Sequence, residues 1–244
     1  MTKILYVELK LHLRQWPVLM FAIGLPVALL LGLGLSVPSM TRLNEASGER
    51  PLDTQMPSAM VLLALLTLGC SVLPAVLSTY RDQGVLRRMS TTPVHPARLL
   101  AAQLLIYLGI AMVTTALLIG TGSLVFGTQA PRQWVGFVLV LLLGTAALLA
   151  IGLVIGALAA NGRVAQAVGS AVMFPLMFVG GVWIPREAMP DVLGAISDFS
   201  VAGPFTQALR DTWAGHAPQL PHLAVMAAGL AIFGGLAARF FRWE

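Results

Sequence analysis

The sequence predicts an all-α integral membrane protein with six transmembrane helices, and three observations predict it. Of its 244 residues, 57% are hydrophobic and only 10% charged, against about 25% charged in soluble proteins. With a mean hydropathy of +0.85, the polar side chains are too few to cover a globule, which excludes a water-soluble enzyme and a disordered chain alike. Six apolar stretches approach the ~20 residues that cross a bilayer: 18–37, 58–80, 99–126, 134–160, 164–184 and 221–238. Of Asp, Glu, Lys, Arg and His they contain only His222, at the rim of the last. Backbone in lipid must satisfy its own hydrogen bonds, so these stretches are helices; a barrel would alternate apolar and polar residues.

Ahead of the first span, residues 4–16 place Leu5, Tyr6, Leu9, Leu13 and Trp16 on one helical face, with Glu8, Lys10, His12, Arg14 and Gln15 around the other. This is the pattern of a helix lying in the membrane interface. Pro17 then opens the first span, where a missing N–H costs little. A cleaved signal peptide is the alternative for that span, but its apolar core exceeds the usual length of about 7–15 residues and five more spans follow.

Charge sets the orientation. The N-terminus, the loops after the second and fourth spans, and the tail carry ten basic residues, and the opposite side carries five, with most acidic residues on that second side. Both termini are therefore expected in the cytoplasm, with the chain in the plasma membrane. The net charge of +5 belongs to those loops and not to a nucleic-acid surface. The single cysteine, Cys70, lies within an apolar run, so no internal disulfide forms.

In the loop after the second span, Asp82 is placed to cap a short helix on which Val85, Leu86 and Met89 share a face, while Arg87 and Arg88 project elsewhere and Pro93 ends it. Any cytoplasmic loop carries arginines, but a defined helix between breakers is more than charge bias needs. Residues 185–220 are too many for a plain connection. They hold two amphipathic patterns, Val192, Leu193, Ile196 and Phe199, then Phe205, Ala208, Leu209 and Trp213, expected as outer helices that dip back into the membrane or cap a cavity. Within the spans, Pro26, Pro74 and Pro175 should kink their helices, and Gly152 with Gly156 forms a small-residue packing face. No domain boundary interrupts residues 1–244, which read as one membrane domain.

The spans lack the acidic and histidine relays of ion-coupled carriers and the arginines of voltage sensors. Gly120-Thr121-Gly122-Ser123 has the outline of a serine-protease turn, but no histidine lies at mid-membrane depth to activate Ser123. The only lysines are Lys3 and Lys10, neither preceded by a glycine-rich phosphate loop. What remains is a membrane body that is passive or is driven by another polypeptide.

The N-terminal interfacial helix, the six spans, the segment Asp82-Gln83-Gly84-Val85-Leu86-Arg87-Arg88-Met89-Ser90-Thr91-Thr92-Pro93-Val94 and the Pro-rich stretch before the last span together resemble the type-2 permease family of ATP-binding cassette (ABC) exporters. The resemblance covers essentially the whole chain, and its most specific part is 82–94. There family members carry an acidic residue, one further residue, Gly, Val or Thr, Leu, basic residues and a later Thr-Pro. Asp82 stands where Glu is more usual, which keeps the charge and shortens the reach. The resemblance implies that 82–92 is a coupling helix, with Asp82, Gln83, Gly84, Val85, Leu86, Arg87, Arg88 and Met89 resting in a groove of a separate ATPase subunit. ATP and Mg would belong to that subunit, leaving this chain without a cofactor.

The resemblance also implies a pathway between two permease chains, identical or not, built chiefly from spans one, two and five. The chain is most similar to the daunorubicin-exporter-like branch, which moves amphipathic drugs. Polysaccharide exporters of the same fold have wider, aromatic-lined paths, whereas only 7% of this chain is aromatic, so a drug or lipid is expected. Phe21, Thr67, Ser71, Met173 and Phe178 would then line the path. The contrasting reading is a membrane scaffold or passive channel that binds a partner without ATP-driven transport.

Overall fold

The first two spans are not uniform α-helices; each contains a wide π turn just ahead of a proline. A computed structural model describes residues 2–14, 20–43, 50–84 and 97–240, and among these every regular element is helical. Helix α1 covers Thr2–Arg14. The first span begins as a π turn, Met20–Gly24, and continues as α2, Leu25–Ser36, before the short α3, Pro38–Thr41. The second span is α4, Gln55–Leu66, then a π turn, Thr67–Val72, then α5, Leu73–Asp82. The third, fourth and fifth spans are α6, Ala97–Phe126, α7, Trp134–Leu158, and α8, Gly162–Val179. After a 3-10 turn at Arg186–Ala188 come α9, Asp191–Phe199, α10, Ala202–Ala214, and the last span, α11, Leu220–Phe240.

Five helices, Gln55–Asp82, Leu100–Phe126, Trp134–Leu158, Gly162–Val179 and Leu220–Phe240, are long and apolar enough to cross a bilayer, and Met20–Ser36 is a shorter apolar helix. The chain is thus an all-α membrane protein, with differences at the boundaries. The second span starts at Gln55 instead of 58 and runs to Asp82. The fifth stops at Val179 instead of 184, although Val182, Trp183 and Ile184 are apolar. The reason is the Gly180-Gly181 pair: Gly181 takes φ +79, and Val182 N–H turns back to Met177 O at 3.0 Å, a helix-terminating geometry that L side chains resist.

Proline explains the π turns. A proline in a helix removes one N–H and drives its ring into the carbonyl four residues earlier. Here the N–H of Leu73, just ahead of Pro74, reaches back five residues to Leu68 O. The wider turn makes room for the ring of Pro74, and Gly69 O is left facing outward. That carbonyl lies against Gly152 of α7, and the next one, Cys70 O, lies against Gly169 of α8; a Cβ on either glycine would overlap the oxygen. Pro26 follows Met20–Gly24 in the same way, whereas Pro175 sits inside a continuous α8.

Around this seam α7 is the central helix, packed by α11, α5, α10 and the π turn of the second span. The core joins Leu62, Leu66, Cys70, Leu148, Ile151 and Phe205. The two stretches before the last span behave differently. Phe205, Ala208, Leu209 and Trp213 of α10 are buried among α4, α7 and α11. On α9 Val192, Ile196 and Phe199 face away, with Val192 75% and Phe199 84% exposed, while Leu193 packs against the core, and ion pairs tie down this region as well. Arg186 meets Asp198 at 2.7 Å and Glu187 meets Arg210 of α10 at 2.7 Å. The Arg186 guanidinium holds the Asp198 carboxyl below its ordinary range.

Candidate functional site

Three elements meet at the end of the bundle where α1 lies. Between α1, the second span and α8 is a cavity of about 310 Å³. Its polar wall is His12 of α1, Ser71, Thr79 and Tyr80 of the second span, and Gln166 of α8, and its apolar wall includes Leu11, Val72 and Val76. Of the residues expected on a path, the structure brings two together: Ser71 donates its hydroxyl to Met173 Sδ at 3.9 Å. Thr67 lies one turn earlier and donates to Leu63 O at 2.8 Å. Phe21 and Phe178 are exposed on the bundle surface and do not line this cavity. Sequence reasoning passed over Thr79, Tyr80 and Gln166 because polar residues near span ends read as rim.

The wall at Tyr80 continues into a buried polar cluster. Glu8 accepts from the Tyr80 hydroxyl at 2.8 Å and from the Gln103 amide at 2.5 Å. His12 Nδ1 donates to Glu8 O at 2.9 Å, and its Nε2 lies 3.1 Å from the Tyr107 hydroxyl. The two rings meet edge to face. Helix α1 thus keeps apolar residues outward, as an interfacial helix does, but its polar face meets protein instead of water. Glu8 and His12 point into the protein against α5 and α6, and Tyr6, Val7 and Leu9 point out. A carboxylate can be buried only if hydrogen bonds replace its water, and three side chains from distant parts of the chain provide the surroundings. Gln103 Oε1 has no partner among the described residues.

The end of α5 is tied to the connection between α7 and α8. Arg81 donates to Ala157 O at 3.1 Å, in the last turn of α7, and to Ala159 O, the residue just past its end. Asp82 Oδ2 accepts from Gly162 N at 3.3 Å, in the first turn of α8. Gln83 N–H returns to Thr79 O and Gly84 N–H to Arg81 O, with Gly84 at φ +66, a left-handed stop that suits glycine. Val85, Leu86, Arg87, Arg88 and Met89, the rest of the expected coupling helix, lie outside the described residues.

Residues 3–213 match the ABC-2 type transporter family. The chain belongs to that family. An ABC-2 permease is the transmembrane component of an ABC transporter and not its catalytic part, and the family implies pairing with an ABC ATPase subunit. The chain is accordingly a multi-pass membrane permease. No curated protein matches it.

Proposed function

We propose that this ABC-2 permease exports an amphipathic drug or lipid, in the manner of the daunorubicin-exporter-like branch, using ATP and Mg bound by a separate nucleotide-binding subunit. Two permease chains form the working assembly in the plasma membrane, with both termini cytoplasmic. The observation that carries the substrate class is the cavity beside α1. Its aliphatic side, Leu11, Val72 and Val76, faces hydroxyl, amide and imidazole groups of Ser71, Thr79, Gln166 and His12, which suits a molecule with an apolar body and a few hydrogen-bonding groups. Its volume of about 310 Å³ fits one ring system or one acyl segment at a time.

The reading is tested by purifying the tagged permease from its own host and assaying what comes with it. An ATPase subunit should copurify, and its hydrolysis should rise with ethidium or with a fluorescent phosphatidylcholine. Leu86→Pro should abolish that rise, because a proline inside the short helix expected at 82–92 would cost about 3 kcal/mol. A permease that copurifies with no ATPase, or that admits both probes without ATP, would instead be a scaffold or a passive channel.

A further inference from the structure

We infer that Arg81 and Asp82 form a clamp that fastens the base of the coupling segment to the turn between α7 and α8, so that force applied to residues 85–92 is delivered to α8 as well as to the second span. The inference rests on the permease reading above and adds positioning residues to it. The resemblance to ABC exporters assigns Asp82 to a groove of the ATPase; the geometry turns it toward its own chain.

The chemistry of the clamp is that of two helix ends. The last carbonyls of α7 have no intrahelical donors, and the first N–H groups of α8 have no intrahelical acceptors. Arg81 donates to Ala157 O and Ala159 O, and Asp82 accepts from Gly162 N. Each charge also sits at the helix end whose dipole it complements, the cation at a C-terminus and the carboxylate at an N-terminus. Neighbouring residues of α5 thus hold both sides of a three-residue turn. Asn161 reinforces the second side, its Oδ1 accepting from Val164 N at 3.0 Å.

The approach is close along the whole end of α5. Ser78 donates to Gly156 O at 3.5 Å. Gly156 packs on Pro74 and Leu77, and a Cβ on Gly162 would press on the Thr79 hydroxyl at 2.8 Å. Two residues after the clamp, Gly84 at φ +66 ends the helix. The far side of the connection is α8, which carries Gln166 in the cavity wall and Met173 against Ser71. The clamp therefore joins the point where the coupling segment begins to the helix that borders the cavity on its other side.

The test uses the full permease with its copurified ATPase in lipid vesicles, with ethidium and fluorescent phosphatidylcholine as transport probes. The readout is the ratio of probe moved to ATP hydrolysed. Spin labels at Leu105 of α6 and Val168 of α8, both exposed, report in a Cys70→Ala background whether α8 moves with ATP. Replacing the hydrogen bonds by alkyl groups, Arg81→Met with Asp82→Ala, should lower the ratio at least about tenfold and abolish the ATP-dependent change in label distance, since charged hydrogen bonds are the stronger kind. Arg81→Lys with Asp82→Asn, which keep a donor and an acceptor in place, should stay within about threefold of the parent. Asp82→Ala alone carries the test if the double variant does not assemble.

A parental ratio in the alkyl variants overturns the clamp while leaving the permease reading intact. So does a loss of ATPase association with the ratio unchanged in the complexes that remain, because Asp82 would then act in the ATPase groove. If no ATPase copurifies with the parent, the permease reading fails and the clamp with it.

Discussion

The carbonyl oxygen of Gly69 lies where a side chain on Gly152 would have to begin. The contact brings the second and fourth spans to backbone distance, and the matching pair, Cys70 O and Gly169, does the same for the second and fifth. Small residues at such crossings allow the close packing on which helix association in lipid depends, and Cα–H···O contacts contribute to it.

Gly152→Ala and Gly169→Ala should each therefore destabilise the fold by about 1–3 kcal/mol, the usual range for overpacking, because the obstructing atom is backbone and cannot rotate away. Gly109→Ala is the control: nothing lies within 4 Å of its new Cβ, and its helix propensity improves. Thermal unfolding in detergent should separate the two classes. Equal midpoints would mean that the seam is not tight.

Helix α1 is fastened by polar contacts, so its attachment should be sensitive to single atoms. Tyr80→Phe removes the hydroxyl that donates to Glu8 and should cost about 1–3 kcal/mol, releasing α1 to protease. Tyr6→Phe, on the exposed face of α1, should be silent in the same proteolysis assay.

The tie between Arg186 and Asp198 carries a pH dependence of known sign. The folded-state pKa of Asp198 is lowered, so its contribution is complete above the unfolded value of about 3.9 and is lost as pH falls through the folded value. Both side chains are about a third exposed or more, which limits the effect to at most about 1 kcal/mol. Comparing parent with Asp198→Asn, the parent should melt higher at pH 6, and the difference should narrow as pH falls below about 4. A gap that widens on acidification would reverse the assignment.

Orientation can be read by thiol labelling in a Cys70→Ala background. A cysteine at the exposed His216, between α10 and α11, should react with an impermeant reagent from outside. One at the exposed Arg163, in the first turn of α8, should be protected until the membrane is opened. Ser197 is unsuited to this assay because it is buried and donates to Val179 O at 2.6 Å.

The number and order of the spans are legible in the sequence because the length of an apolar run is a one-dimensional signal. The end of α8 is not, since Gly180-Gly181 stops a helix inside a run that remains apolar to Ile184. Periodicity identifies α1 as a helix with two faces, but which face turns inward depends on Tyr80, Gln103 and Tyr107, more than seventy residues away. Pro26 and Pro74 are visible in the sequence, whereas the π turns that accommodate them are not. At the site, Ser71 and Met173 are separately apparent as polar and polarizable residues within spans, and only the packing of α8 on the second span joins them. Arg81 reads as a loop charge and Asp82 as the cap of the helix expected after it, because nothing local shows that two helix ends wait beside them.

The π turn at Thr67–Val72 also sets a phase relation between the halves of the second span. It accommodates one residue more than an α-helix would place in the same rise, so α4 and α5 are out of step by about 100°, one residue's rotation at 3.6 residues per turn. Removing a single residue within 67–72 would leave each half helical and the span nearly as long. Every side chain beyond it would keep its place, Arg81 and Asp82 included, whereas the same deletion within α4 would swing them by about 100° relative to the rest of the span. Aligned to a permease with an uninterrupted second helix, this chain would need a one-residue gap inside an apolar run, at a place where hydropathy gives no sign of it.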